Sequence, residues 1–174
     1  TYDYPADFML VAAMNPCKCG YYPDMQRCRC TEAAIERYIN KISQPLLDRI
    51  DICVEAPQVK FEELSGREKE ENSAEIRNRV EQAHKIQRKR YEKESFSYNS
   101  QIPAARVAEF CSLSEGQTIY MERIYNKLNL TARSYHKILK VARTLADMDG
   151  EEKIRDSHLN EAVCYRNIDR QFWR

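Results

Sequence analysis

Helix-start signals recur through the second half of this sequence and leave it few folds to choose from. Asn72 is followed three residues later by Glu75, Ser114 by Gln117, and Thr131 opens the most strongly periodic stretch of the chain, which Gly150 closes. A Ser, Thr or Asn side chain accepts from the free amides of a helix's first turn, and Glu or Gln three positions on can return the bond. Behind each signal apolar residues fall along one helical stripe: Ile76, Val80, Ala83 and Tyr91 in a helix to about Glu94, then Ile119, Ile124 and Leu128, then Tyr135, Ile138, Leu139, Ala142, Leu145 and Ala146. Pro103 opens a short helix carrying Val107, Phe110 and Cys111, and a last helix starts near Asp156 and buries Leu159, Ala162 and Val163. With only 4 Gly and 6 Pro in 174 residues, little interrupts this pattern. Residues 72–174 are expected to form an all-helical domain.

The first third reads differently. Phe8 to Met14 is apolar throughout and ends at Asn15-Pro16, the pattern of a strand buried on both faces. Asp51 to Ala56, stopped by Pro57, is the second strand candidate, and two short strands make no stable sheet alone. Further strands are therefore expected outside this chain, and Thr1, which is not Met, reads as a cut. Between the strands lie a cysteine loop, a helix opened by Thr31 with Ala34, Ile35, Tyr38 and Ile39 on one side, and the segment Ser43 to Arg49. Ser65-Gly66 and the charged run Arg67 to Glu71 mark a linker over 61–71. The predicted class is mainly α: a remnant of an α/β core over 1–60, then the helical domain.

Composition excludes several classes. Apolar residues make up 43% and charged ones 32%, which suits a helix-rich soluble protein rather than a disordered chain. Phe8 to Met14 is the longest apolar run, far short of the roughly 18 residues of a membrane span, and no basic leader precedes it, so a cytoplasmic protein without membrane contact is expected. The net charge is +1, so any nucleic-acid contact has to be local.

Four of the seven cysteines crowd into Cys17-x-Cys19 and Cys28-x-Cys30. Alternate residues of an extended chain lie about 6.6 Å apart, whereas two thiolates on one zinc need about 3.8 Å, so the chain has to bend. Gly20 and Pro23-Asp24 supply bends. A structural zinc, free thiols and a disulfide are the three readings, with C-x-C a departure from the usual C-x2-4-C zinc spacing. Lys18, Arg27 and Arg29 alternate with these cysteines beside Tyr21 and Tyr22, which suits either a phosphate contact or a solvated loop. Cys53, Cys111 and Cys164 read as small core residues.

Asn15 sits where ligands lie in open α/β sheets, beyond the carboxyl end of a strand, or else simply forms a turn before Pro16. Arg49 has Asp48 and Asp51 beside it and could spend its charge on them. Arg133 falls in the first turn of its helix, where a cation opposes the helix dipole unless an anion binds there. His84, His136 and His158 read as packing or surface residues. The helix from about Ala74 to Glu94 carries seven basic side chains against four acidic ones, and its Arg88-Lys89-Arg90 end is a second candidate for DNA phosphates. No phosphate-loop motif and no Ser-His-Asp set is present.

Six stretches in fixed order, MLVAAMNPCKCGYYPD, RCRC, KISQPLLDRIDICVEAP, ENSAEIRNRVEQAHKIQ, LNLTARSYHKILKVARTLADMDG and EAVCYRNIDR, closely resemble the carboxyl-terminal part of the magnesium-chelatase-like AAA+ ATPases of the ComM/YifB type. The resemblance runs from about Tyr4 to the end. It implies that residues 1–60 close an AAA+ core and that 72–174 form its helical lid. It makes Asn15 similar to the sensor 1 residue, Arg49 to the arginine finger offered to a neighbour's ATP, and Arg133 to the sensor 2 arginine. ATP and Mg2+ would be the cofactors, with the phosphate loop and Walker B acids upstream of Thr1. The whole would be a ring, expected to be a hexamer, that remodels or branch-migrates DNA during uptake and recombination. Two other readings stand beside it: a magnesium chelatase subunit driving Mg insertion into a porphyrin, and a non-enzymatic, zinc-bearing nucleic-acid adaptor.

Overall fold

The computed structural model describes residues 8–56 and 71–172, with Tyr2, Tyr4, Ala6 and Val59. Two short helices precede the expected linker, α1 (Glu32–Ile39) and α2 (Gln44–Leu47). The linker lies outside the described residues except for Glu71. Five helices follow: α3 (Ser73–Arg90), α4 (Val107–Phe110), α5 (Glu115–Lys127), α6 (Ala132–Met148) and α7 (Asp156–Phe172). Two 3-10 turns, Asn99–Gln101 and Ala104–Arg106, lead into α4.

The caps read from sequence are formed. Asn72 Oδ1 accepts from the amides of Ala74 (2.9 Å) and Glu75 (3.0 Å) while Glu75 Oε2 accepts from the Asn72 amide (2.9 Å). Ser114 and Gln117 make the same reciprocal pair at α5, and Thr131 accepts from the Ser134 amide at α6. Gly150 follows α6 with φ +71°, a conformation that a side chain would strain.

Helix α6 is the hub and packs most extensively on α7. Ile138, Leu139, Ala142 and Ala146 of α6 meet Leu159, Ala162 and Val163 of α7, Met121 of α5, Tyr91 just past α3, and Ile102, Val107 and Cys111. Small Ala142 and Ala146 let the helices approach, and each buried large side chain contributes about 1.5 to 3 kcal/mol. A polar network closes the α3 side of this core. The buried Asp147 carboxylate accepts from Arg90 (Nη1, 2.9 Å, and also Nη2), from Asn99 Nδ2 (2.8 Å) and from Arg143 Nη2 (3.2 Å). Asn99 also takes the Tyr91 hydroxyl proton (2.5 Å), and its amide is held by Gln87 Oε1 (3.1 Å).

Several expectations are corrected. No strand is present among the described residues. Phe8 to Met14 and Asp51 to Ala56 have no regular structure, and Phe8 and Val11 are 74% and 82% exposed. A strand's amides and carbonyls need a neighbouring strand, and none of the described residues supplies one. The first ten residues of α3 are all exposed, so Ile76 and Val80 do not face the core and only the Ala83–Tyr91 end does. The helix ends at Arg90 rather than near Glu94. On α5 Ile124 and Leu128 pack against the core as expected, but the fully buried residue is Met121 and Ile119 is exposed. Cys111 is buried as expected, but Cys53 is half-buried and Cys164 exposed, because Leu159, Ala162, Val163 and Arg166 already occupy the inner face of α7. No helix among the described residues is long and apolar enough to cross a membrane.

Candidate functional site

The chain from Cys17 to Cys30 folds back so that its four sulfurs lie within 4.8 Å of one another. Cys17 Sγ is 3.3 Å from Cys19 Sγ and 3.8 Å from Cys28 Sγ, and Cys19 and Cys28 are 3.5 Å apart. Gly20, at φ +82°, turns the chain after the first pair, with its amide bonded to the Cys17 carbonyl (3.1 Å). The Asp24 carbonyl takes the amides of Arg27 and Cys28, which brings the second pair round. Underneath, α1 lays Ile35 and Ile39 against Cys17 and Cys28. Backbone amides converge on the sulfurs: the Tyr21 amide, with Cys17 and Arg29, lowers the Cys19 thiol to about 6. For Cys28 the Cys30 amide pulls the other way, but burial and the neighbouring Cys19 and Cys17 sulfurs push the thiol up to about 12. Asn15 lies against this turn, since a Cβ on Gly20 would meet its Nδ2 at 3.5 Å.

A second cluster joins the segment after α2 to the helical core. Arg166, 3% exposed on α7, donates to the carbonyls of Ile50 (2.7 Å) and Leu47 (3.3 Å) and to Ser134 Oγ of α6 (3.2 Å), and lies 3.7 Å from Asp48. Lys137 of α6 pairs with Asp51 (2.8 Å) and donates to the Arg49 carbonyl. The Cys53 amide donates to the Tyr165 carbonyl (3.0 Å).

These contacts rule out an ion pair between Arg49 and its flanking acids. Its flanking acids are engaged elsewhere, Asp48 by Arg166 and Asp51 by Lys137, so the internal ion pair is not made. The exposed Arg49 guanidinium donates to the Pro45 carbonyl (2.6 Å) and has no acidic partner among the described residues. Arg133 is likewise exposed, in the first turn of α6 and one turn before Lys137, and its guanidinium makes no hydrogen bond or ion pair with a described residue. The segment bearing Arg49 and the helix bearing Arg133 are thus fastened together, whereas no described hydrogen bond links Asn15 to either. Sequence reading missed Arg166 and Lys137. The usable signal for Arg166 was its place on the apolar stripe of Leu159 and Val163, where a lone Arg has to find buried acceptors.

Residues 70–166, more than half of the chain, match the family model described as magnesium chelatase, subunit ChlI C-terminal. The chain belongs to the magnesium chelatase ChlI family. Residues 1–64 match the companion model, magnesium chelatase, subunit ChlI. The family's C-terminal match, 70–166, takes in the helix cap at Asn72 and ends at Arg166, and its other match holds the cysteine turn, Asn15 and Arg49. Among relatives of this family member, the competence protein ComM of Haemophilus influenzae is 38% identical over 94% of this chain and 31% of its own length. YifB of Escherichia coli is 40% identical over 96% of this chain and 32% of its own length. An uncharacterized protein of Mycobacterium tuberculosis is 30% identical over 94% and 32%. The chain therefore spans about a third of the length of these curated relatives.

Of the remaining sequence candidates, Lys18, Arg27 and Arg29 lie exposed around the cysteine turn, with Arg27 stacked 4.2 Å over the Tyr21 ring. Arg88 and Lys89 are exposed, but Arg90 belongs to the Asp147 network and leaves the candidate DNA surface. His158 is buried, accepts from the Arg155 amide at Nδ1 (3.0 Å) and meets Asp149 at Nε2 (3.0 Å), a packing role at the start of α7.

Proposed function

We propose that this chain is the end of an AAA+ core, residues 1–60, joined through 61–71 to a helical lid, residues 72–174, of a ring-forming ATPase that acts on DNA. The observation that carries the reading is the pair of exposed arginines without acidic partners, Arg49 and Arg133, on two elements that Lys137 and Arg166 tie together. ATP with Mg2+ supplies the phosphoanhydride that such a motor cleaves. Arg49 is suited to reach a neighbour's nucleotide, where a finger lowers the barrier through transition-state charge and is worth roughly 10³ to 10⁵ in rate. Arg133, in a first helical turn, is suited to hold a terminal phosphate within its own subunit, since an anion there removes the conflict between its charge and the helix dipole. Asn15 offers an amide to orient the attacking water. The ring is taken as cytoplasmic with six subunits, and DNA as its substrate is in keeping with the name of the ComM relative, competence protein. A magnesium chelatase subunit is the second reading, favoured by the description of the matched family models. The adaptor reading loses ground because the basic helix end on which it leaned has Arg90 paired with Asp147.

Mixing experiments on the full-length protein test the assignment. Arg49→Ala is expected to abolish turnover with ATP binding nearly intact, because a finger acts mainly in the transition state. Rings that combine an Arg49→Ala subunit with a subunit dead in its own phosphate loop are expected to regain activity where intact finger faces intact loop. Arg133→Ala mixed with the same loop mutant is expected to regain none. Recovery in the second mixture alone would mean that the two roles are exchanged.

A further inference from the structure

From the geometry of the cysteine turn we infer that Cys17, Cys19, Cys28 and Cys30 bind one zinc ion as a closed tetrathiolate whose work is structural. Four sulfurs on one tetrahedral ion, at Zn–S bonds near 2.3 Å, form a figure with edges of about 3.8 Å. The separations of 3.3, 3.5 and 3.8 Å, with all four sulfurs inside 4.8 Å, already approximate it. Two irons or four would hold the cysteine sulfurs farther apart than one shared ion does. Disulfides would join the sulfurs in two pairs and give no reason for all four to converge on one point.

Two further features point the same way. Binding converts four thiols and Zn2+ into a centre of net charge −2, with four protons released to solvent. Lys18, Arg27 and Arg29 stand around the turn and offset that charge. The turn also has little else to hold it: its core is Cys17, Cys28, Ile35 and Ile39 with a few half-buried neighbours, too small to order such a loop without a staple. All four ligands come from the chain, so no open position is left for a substrate, which separates a structural site from a catalytic one. A consequence that rests on the proposed role of Asn15 is that the ion stiffens the turn against which that side chain packs.

The metal is testable apart from any ATPase activity. The 174-residue chain is purified with reductant, without chelator or added metal, and its zinc, iron and free thiols are counted. About one zinc per chain is expected, with Cys17→Ser and Cys28→Ser each lowering it severalfold and Cys164→Ser, outside the cluster, leaving it unchanged. Cobalt(II) in place of zinc should give the intense visible bands of tetrahedral thiolate coordination, lost in the same two variants. Chelation is expected to speed hydrogen exchange at Tyr21, Tyr22 and Cys30 while α6 keeps its protection, a readout that does not depend on any variant folding. Less than about half an equivalent of zinc with all thiols reduced, an equivalent of iron instead, or a mass lowered by the hydrogens of a disulfide would each overturn the inference.

Discussion

Asp147 shows how much one buried side chain can decide. Its carboxylate compensates Arg90 and Arg143 at once and also holds Asn99, which in turn positions Tyr91. Asp147→Ala leaves two partly or fully buried guanidinium groups without their anion, and a loss of about 3 to 5 kcal/mol is expected. Glu71→Ala removes a half-exposed pair with Arg79 at a similar distance, 3.0 Å, and is expected to cost less than about 1 kcal/mol. Urea unfolding of the two variants checks the contrast, and equal midpoints would show that the network does not stabilise the fold. The destination of Arg90 was not legible in the sequence. A run of three cations at a helix end looks alike from every side, and only the position of Asp147, fifty-seven residues away, turned one of the three inward.

Helices with equally good caps differ in what the cap secures. Asn72 has a complete capping box, yet the ten residues that follow it in α3 are all exposed. Thr131 starts α6, whose inner face is the centre of the core. Thr131→Ala is therefore expected to lower global stability by about 1 kcal/mol. Asn72→Ala should instead fray the first turns of α3, speeding hydrogen exchange there and barely moving the global midpoint, because that end can open without disturbing the core. Hydrogen exchange with denaturant titration distinguishes the two, and a global loss from Asn72→Ala as large as that from Thr131→Ala would contradict it. Element starts and stops were readable since caps are local chemistry: a side chain and amides two or three residues on. Which face is buried was readable for α6 and misleading for α3, where Ile76 and Val80 continue the stripe past the end of the packing.

For the molecule as a whole, the contacts that matter to the proposed motor run between its two matched segments. Arg166 and Lys137 carry the helical core's hold on Leu47, Arg49, Ile50 and Asp51, so motion of α6 and motion of the Arg49 segment are expected to be coupled. The candidate DNA surfaces lie elsewhere, at Arg88 and Lys89 on α3 and at Lys18, Arg27 and Arg29 on the cysteine turn. If the α3 end meets phosphates, Arg88→Glu with Lys89→Glu in the full-length protein should lower the salt slope of DNA affinity by about 0.7 to 0.9 for each phosphate no longer neutralised. A salt titration reads this directly, and an unchanged slope would transfer the surface to the cysteine turn. The helical class, the caps, the bend between the cysteine pairs and the family were all legible in the sequence, because each rests on residues near one another along the chain or on a motif order. The tertiary structure alone decided that Asp48 and Asp51 serve Arg166 and Lys137 rather than Arg49, that Arg90 is spent inside, and that the two apolar segments meet no partner strand among the described residues. Those outcomes depend on which groups distant in sequence come within bonding distance, and a charge or an apolar run carries no record of its partner.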